Sequence, residues 1–402
     1  MNLGDNRTSV VQAVDTGVLA GAVTLAWQRG NVLQVNEIGY RDVEAGLPMQ
    51  RDTIFRVASM TKPVTVAAAM SLLEEGKLTL SDPVTRWLPE LADMQVLVDP
   101  TGPLDQTVPA RRPITIDDLM THRSGLAYVF SVTGPISRAY GRVSFRQDQD
   151  HWLAEVAQLP LVHQPGERLT YSHATDVLGI VLSRIEGKSL QAVLAERIFE
   201  PLGMPDTGFF ISPPDKRARA ATMYRLDEES GLQHDAMGPI PVTEPRFCQG
   251  GASLVTTVDD YLRFARMLLG GGTVDGVRVL SEESVRLMRA DRLTEEQKKF
   301  PFLGLPFWMG RGFGLNLSVV TDPAKSAQLY GPPGGLGTFS WPGAYGTWWQ
   351  ADPANDLILI YLIQNYPNLS APAAAVAGNT SLAKLQSVQP KFVRRTYGAL
   401  GL

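Results

Sequence analysis

The 402-residue chain holds one cysteine, Cys248, so no disulfide can form within it. That scarcity fits a reducing compartment. Long apolar runs are missing too: none approaches the roughly 18 residues needed to span a bilayer. The first apolar stretch, Val18 to Trp27, carries glycines and reads as a strand rather than as the core of a secretion signal. Charge of one sign is also lacking. The net charge is −4 and no basic run stands out, which leaves nucleic-acid binding without electrostatic support. Five histidines, with no H-E-x-x-H and no Cys/His cluster, offer no metal site. The run from Gly331 to Gly337 is glycine-rich but lacks the spacing and lysine of a phosphate loop, and reads as a rigid turn. No G-x-S-x-G is present, so the serine elbow of α/β-hydrolases is unsupported. The expectation is a cytoplasmic protein with no metal, cofactor, membrane or nucleic-acid partner.

What is present is ordinary globular composition, 44% hydrophobic and 19% charged, with no 20–50-residue repeat. Gly21 to Trp27 and Val32 to Tyr40 are β-rich runs joined by Arg29-Gly30-Asn31, which predicts a hairpin. A second β-rich zone lies far along the chain, Gly337 to Gln350 and Leu357 to Gln364. The pattern between them is mostly helical. Pro63 to Glu75 is an apolar, alanine-rich run stopped by Gly76, as a helix ending in a C′ glycine would be. Thr115 with Asp118, and Thr257 with Asp260, have capping-box spacing. Leu97 to Pro113 and Leu293 to Pro306 read as irregular excursions of the kind that become lids or surface decoration. The predicted fold class is α/β (α+β) with two domains: an antiparallel sheet from both chain ends flanked by helices, plus an inserted helical domain. The expected boundaries are 1–80 and 210–402 for the first and 81–209 for the second, with the active site between them.

S-x-x-K occurs twice, as Ser59-Met60-Thr61-Lys62 and as Ser381-Leu382-Ala383-Lys384, so the motif alone does not discriminate. Ser59 follows a β-like segment and opens the long apolar helix, placing its hydroxyl at the positive helix end and Lys62 one turn on. Ser381 has too little chain after it to recruit later partners and sits in what reads as a C-terminal helix. Locally, Ser59 is equally an N-cap serine and Lys62 a solvated lysine, although Val64, Val66, Ala67, Ala68 and Ala69 argue for burial. A serine hydroxyl needs a base, and a tyrosine beside a cation can supply one. Tyr171-Ser172-His173, between a Pro165-Gly166 loop and a helical run, is the candidate; alone, Tyr171 is a packing residue. Trp341-Pro342-Gly343-Ala344-Tyr345-Gly346 places glycines on a β-rich run, either a plugged turn or a strand edge whose N–H groups meet a ligand.

These segments, in this order, resemble the serine β-lactamase and penicillin-binding-protein superfamily, specifically its class C-like esterase branch, the family VIII carboxylesterases. Phe55-Arg56-Val57-Ala58 before the serine, the stretch Ile114 to Leu126, Pro201-Leu202-Gly203-Met204, and Gly250-Gly251-Ala252 followed by Thr257-Val258-Asp259-Asp260 extend the likeness over most of the chain. The resemblance implies Ser59 as nucleophile, Lys62 as its activator, and Tyr171 as general base and acid. The oxyanion hole is then the N–H groups of Ser59 and Ala344. Trp341-Pro342-Gly343 stands where K-T-G would be, and His173 replaces the Asn of Y-x-N. Losing that lysine removes an attraction for anionic substrates and adds apolar surface. Trp341, Gly343, His173, Tyr128 and Phe130 are the expected substrate-binding residues, and Trp348 and Trp349 are either pocket wall or core. His122 either anchors its loop or takes part in catalysis. The implied activity is hydrolysis of a small-molecule carboxylic ester. Acyl transfer to an alcohol, D-amino-acid amidase or peptidase action with weak β-lactamase activity, and a non-enzymatic acylated sensor or penicillin-binding protein stand as alternatives. The oligomeric state is left open.

Overall fold

A computed structural model describes residues 3–235, 237–331, 334–366 and 380–402. Its centre is an eight-stranded antiparallel sheet. In spatial order the strands are Arg311–Phe313, Ser318–Val320, Phe339–Ser340, Trp348–Asp352, Leu357–Leu362, Gly21–Gln28, Asn31–Asp42 and Leu47–Pro48. The predicted hairpin is there, Gly21–Gln28 pairing with Asn31–Asp42. Gly21–Gln28 also pairs with Leu357–Leu362, in register from Val23 with Leu362 to Gln28 with Leu357, so both chain ends meet in mid-sheet.

Leu357–Leu362 is fully buried, and its unbroken apolar sequence follows from being covered on both faces. Ile358, Ile360 and Leu362 face the main core with Val23, Leu25 and Trp349. Leu357, Leu359 and Tyr361 face the other way, into a second cluster with Val10, Ala13, Val388, Phe392 and Tyr397. Those partners belong to the helices Thr8–Asp15 and Ser381–Leu400. The second S-x-x-K thus starts the last helix, where the Ser381 N–H is bonded to Glu228.

The main core runs from the sheet through the helix Thr61–Glu74 into the helical part, where that helix packs against Ala174–Glu186. Thr61–Glu74 ends at Glu75 and Gly76 (φ 70), and Thr115 with Asp118 closes a reciprocal capping box. Thr257 caps Val258–Leu269 through the Asp260 N–H, but the return bond is missing. The Asp260 carboxylate turns instead to the Asp206 N–H and the Thr207 hydroxyl.

Three expectations need correction. Leu97 to Pro113 is not wholly irregular: Gln95–Leu97 pairs with Thr107–Pro109, with Val96 opposite Val108. Leu293 to Pro306 contains the short capped helix Glu295–Lys298. The run Gly337 to Gln350 is two strands, Phe339–Ser340 and Trp348–Asp352, because residues 341–347, with Pro342 and two glycines, leave the ladder. Of the Gly331–Gly337 turn, Pro332 and Pro333 lie outside the described residues. No described helix is long and apolar enough to cross a membrane.

Candidate active site

Ser59 sits in a 3₁₀ turn, Ala58–Met60, that leads directly into Thr61–Glu74. The turn follows the strand Phe55–Arg56, which pairs with Val255–Thr256. The Gln364 side-chain amide fastens that strand, accepting from Arg56 N at 2.7 Å and donating to Arg56 O at 3.2 Å. Ala58 takes φ 43, a left-handed conformation that costs a non-glycine residue about 1–2 kcal/mol. The Thr61 hydroxyl, donating to Ala58 O at 2.7 Å, helps hold it there.

One turn along, Lys62 is fully buried and its ammonium group has an acceptor for each proton. Nζ donates to Ser59 Oγ at 3.2 Å, Tyr128 Oη at 3.1 Å and Gly251 O at 2.7 Å. It also lies 4.7 Å from the centre of the Tyr171 ring. Tyr171 Oη is 2.7 Å from Ser59 Oγ and accepts the Trp341 indole N–H at 3.1 Å. The structure thus brings Ser59, Lys62, Tyr171, Trp341 and Tyr128 together, from four separate segments of chain.

Behind them lies a buried carboxylate. Asp176 accepts the Gly251 N–H at 2.8 Å, the His173 Nδ1–H at 3.0 Å and the Tyr128 hydroxyl at 3.4 Å. Burial and this neighbouring charge push the Tyr128 phenol well above its ordinary value, so it stays protonated and donates a hydrogen bond to Asp176. Burial is also the larger influence on His173, lowering it despite the opposing pull of Asp176. Gly251 is glycine because a Cβ there would press on the Asp176 carboxylate and the Tyr128 hydroxyl.

A family model described as Beta-lactamase matches residues 7–379. The chain belongs to the beta-lactamase family. Protein Rv1367c of Mycobacterium tuberculosis is 69% identical over the whole of both chains. Esterase EstB of Burkholderia gladioli is 33% identical over 90% of each. Among solved structures, EstCE1, described as a hydrolase with promiscuous acyltransferase activity, superposes with a TM-score of 0.76 at 29% identity. It covers 96% of this chain and 98% of that one. The two-domain architecture is the beta-lactamase/transpeptidase-like one these neighbours share.

Within this beta-lactamase-family site, the remaining expected residues fall in several places. Ala344 is exposed on the 341–347 loop, and its N–H has no partner among the described residues. Gly343 is buried, and a Cβ would overlap Val57 O and the Thr347 hydroxyl, so this glycine accommodates the chain's own backbone. Phe130 is 42% exposed and stacks on Tyr128 at 5.1 Å. His173 is only 5% exposed and lies behind Tyr128, at 4.2 Å between rings, away from the open cleft. Trp349 is fully buried against Tyr261, Phe264 and Phe339, while Trp348 packs on the opposite face with the terminal helices.

His122 is buried with φ 54, and its ring meets Tyr171 edge to face with 4.7 Å between ring centres. Its Nε2 meets Asn316 Oδ1 at 2.8 Å and its Nδ1 meets Ser172 Oγ at 3.2 Å. Asn316 Oδ1 only accepts, so Nε2 carries the proton, and burial keeps the ring neutral. Sequence reasoning missed Asp176, Asn316 and the aromatic wall of Phe302, Phe307 and Trp308 beside Trp341. Asp176 had a signal: it stands three residues after His173, one helical turn away on the same face.

Proposed function

We propose that this protein is a serine carboxylesterase that forms an acyl-enzyme on Ser59. The observation that carries the reading is the contact of Tyr171 Oη with Ser59 Oγ at 2.7 Å, with Lys62 Nζ on the same oxygen. The esterase and acyltransferase relatives support an enzyme that hydrolyses esters or transfers acyl groups. The step uses Tyr171 as the base in its deprotonated form, with Lys62 Nζ 4.7 Å from the centre of its ring and the Trp341 N–H on its oxygen. Tyr171 takes the Ser59 proton as Oγ bonds to the ester carbon. The carbonyl electrons move to oxygen, where the N–H groups of Ser59 and Ala344 receive them. Collapse breaks the bond to the alkoxide, which leaves with the Tyr171 proton. Water then repeats the sequence, and Ser59 departs reprotonated.

Trp341 favours neutral acyl groups, because an indole stands where a cation would draw a β-lactam carboxylate. An alcohol replacing water at the second step gives acyl transfer, the activity named for EstCE1. The test is a p-nitrophenyl ester chain-length series beside nitrocefin and a D-alanyl peptide, with product analysis in added alcohol. An organophosphonate should label the native protein and leave Ser59→Ala unlabelled. Equal labelling of both would overturn the assignment. A single acyl burst without turnover would mark a sensor.

A further inference from the structure

Beside the site lies a cavity of about 260 Å³ walled by Pro100, Thr101, Val132, Arg168, Tyr171 and Phe300 among others. Tyr171 is the shared wall, since its hydroxyl is the one that touches Ser59. Arg168 is the only charged residue lining this cavity among the described residues. It forms no ion pair there, and its guanidinium lies over the Phe300 ring at 5.2 Å. Asp99, beside this wall, is committed to the Thr101 N–H and hydroxyl, both at 2.9 Å.

The lining hydroxyls are mostly spoken for. Ser131 donates to Tyr128 O at 3.0 Å. His163 Nδ1 is 2.9 Å from Gln164 O and must donate to it, so Nε2 is an acceptor and the Thr170 hydroxyl donates there at 3.0 Å. Among the described residues the guanidinium and the Thr133 hydroxyl are therefore the cavity's open donors, and only the guanidinium carries charge. With its carbon over a ring and no hydrogen bond or ion pair to its side chain among the described residues, the guanidinium has N–H groups to offer two oxygens of one anion.

We propose that this cavity is a subsite for an anionic group on the ester substrate, a carboxylate or a phosphate, and that Arg168 selects for it. The proposal rests on the Ser59 reading, and refines it from neutral esters in general to esters that carry a charge away from the reacting carbonyl. The reacting acyl carbon still meets an apolar, uncharged surface at Trp341, while the distal anion meets Arg168.

The test measures binding by calorimetry to full-length Ser59→Ala, so that no turnover intervenes. The probes are methyl half-esters of glutarate and adipate, butyrate esters of 4-hydroxybutyrate and 6-hydroxyhexanoate, and butyryl esters of phosphorylated diols. Each is paired with its methyl-capped neutral counterpart. At least one anionic probe should bind about tenfold or more tighter than its neutral partner, as expected for a charge-assisted bidentate pair. The carboxylate and phosphate arms then tell the two sources apart. Adding Arg168→Gln should remove that preference, and Arg168→Lys should restore part of it. No preference in any pair, a preference that survives Arg168→Gln, or equal loss of both members of a pair would each overturn the proposal. If wild type turns over no ester and takes no phosphonate label, the esterase reading fails while the binding comparison still decides the subsite.

Discussion

Lys62 is a fully buried cation with no carboxylate in direct contact among the described residues, and replacing Asp176 by asparagine tests what neutralises it. Asparagine keeps the shape, with an oxygen for the Gly251 N–H and an amide that can face Tyr128 and His173, but it removes the charge. The link from Lys62 Nζ through Tyr128 Oη to Asp176 Oδ2 has legs of 3.1 and 3.4 Å, so the charges are at most about 6.5 Å apart. At an effective dielectric constant of about 20, that separation is worth roughly 2.5 kcal/mol. Asp176→Asn should therefore lower the unfolding free energy by about 2–3 kcal/mol, read from urea titrations followed by tryptophan fluorescence. The decisive measurement is the double-mutant cycle with Lys62→Met. With the cation gone, Asp176→Asn should cost far less, leaving a coupling of about 2.5 kcal/mol. An equal cost in both backgrounds would refute the pairing and make Asp176 a purely local anchor for Gly251 and His173.

Trp341→Phe keeps the ring but deletes the N–H on Tyr171 Oη. One charge-assisted bond of about 1.5–3 kcal/mol predicts a roughly 10–100-fold fall in kcat/KM for p-nitrophenyl butyrate with little change in Tm. Asp260 is buried and its carboxyl is raised to about 6, chiefly by burial. A raised acid contributes stability that is complete below its unfolded value near 4 and lost as pH climbs through 6. Asp260→Asn should therefore flatten the urea stability profile between pH 4 and 6.5, by about 2–3 kcal/mol at most. Cys248 is buried and pushed up to about 12, again mainly by burial, so Ellman's reagent should react only after unfolding.

The backbone plan was legible in the sequence wherever one segment carried its own signal. The hairpin announced itself by alternation around Arg29-Gly30-Asn31, and Thr61–Glu74 by an apolar run with a glycine stop. Ser59, Lys62 and Tyr171 could be named because their order along the chain matched a known pattern. What stayed hidden needed three dimensions. His173 was set among pocket residues by its place two after Tyr171, yet the helix it caps turns it inward to Asp176. Arg168 carried no signal of its own, since only folding shows that no carboxylate among the described residues pairs with it. Asp260 matched a capping box, but a donor pair from Asp206 and Thr207, some fifty residues earlier, outcompetes the local bond.

The strand Leu357–Leu362 also sets a timetable. Gly21–Gln28 leaves the ribosome early, but the partner that seals its second edge is made more than 300 residues later. At about 5–20 residues per second, that edge waits on the order of 15–65 s. Until then Gly21–Gln28 offers unpaired N–H and C=O groups and apolar faces to whatever is nearby. The nascent chain therefore has to be shielded for most of its synthesis, and its expression yield should follow chaperone supply more closely than the stability of the finished fold.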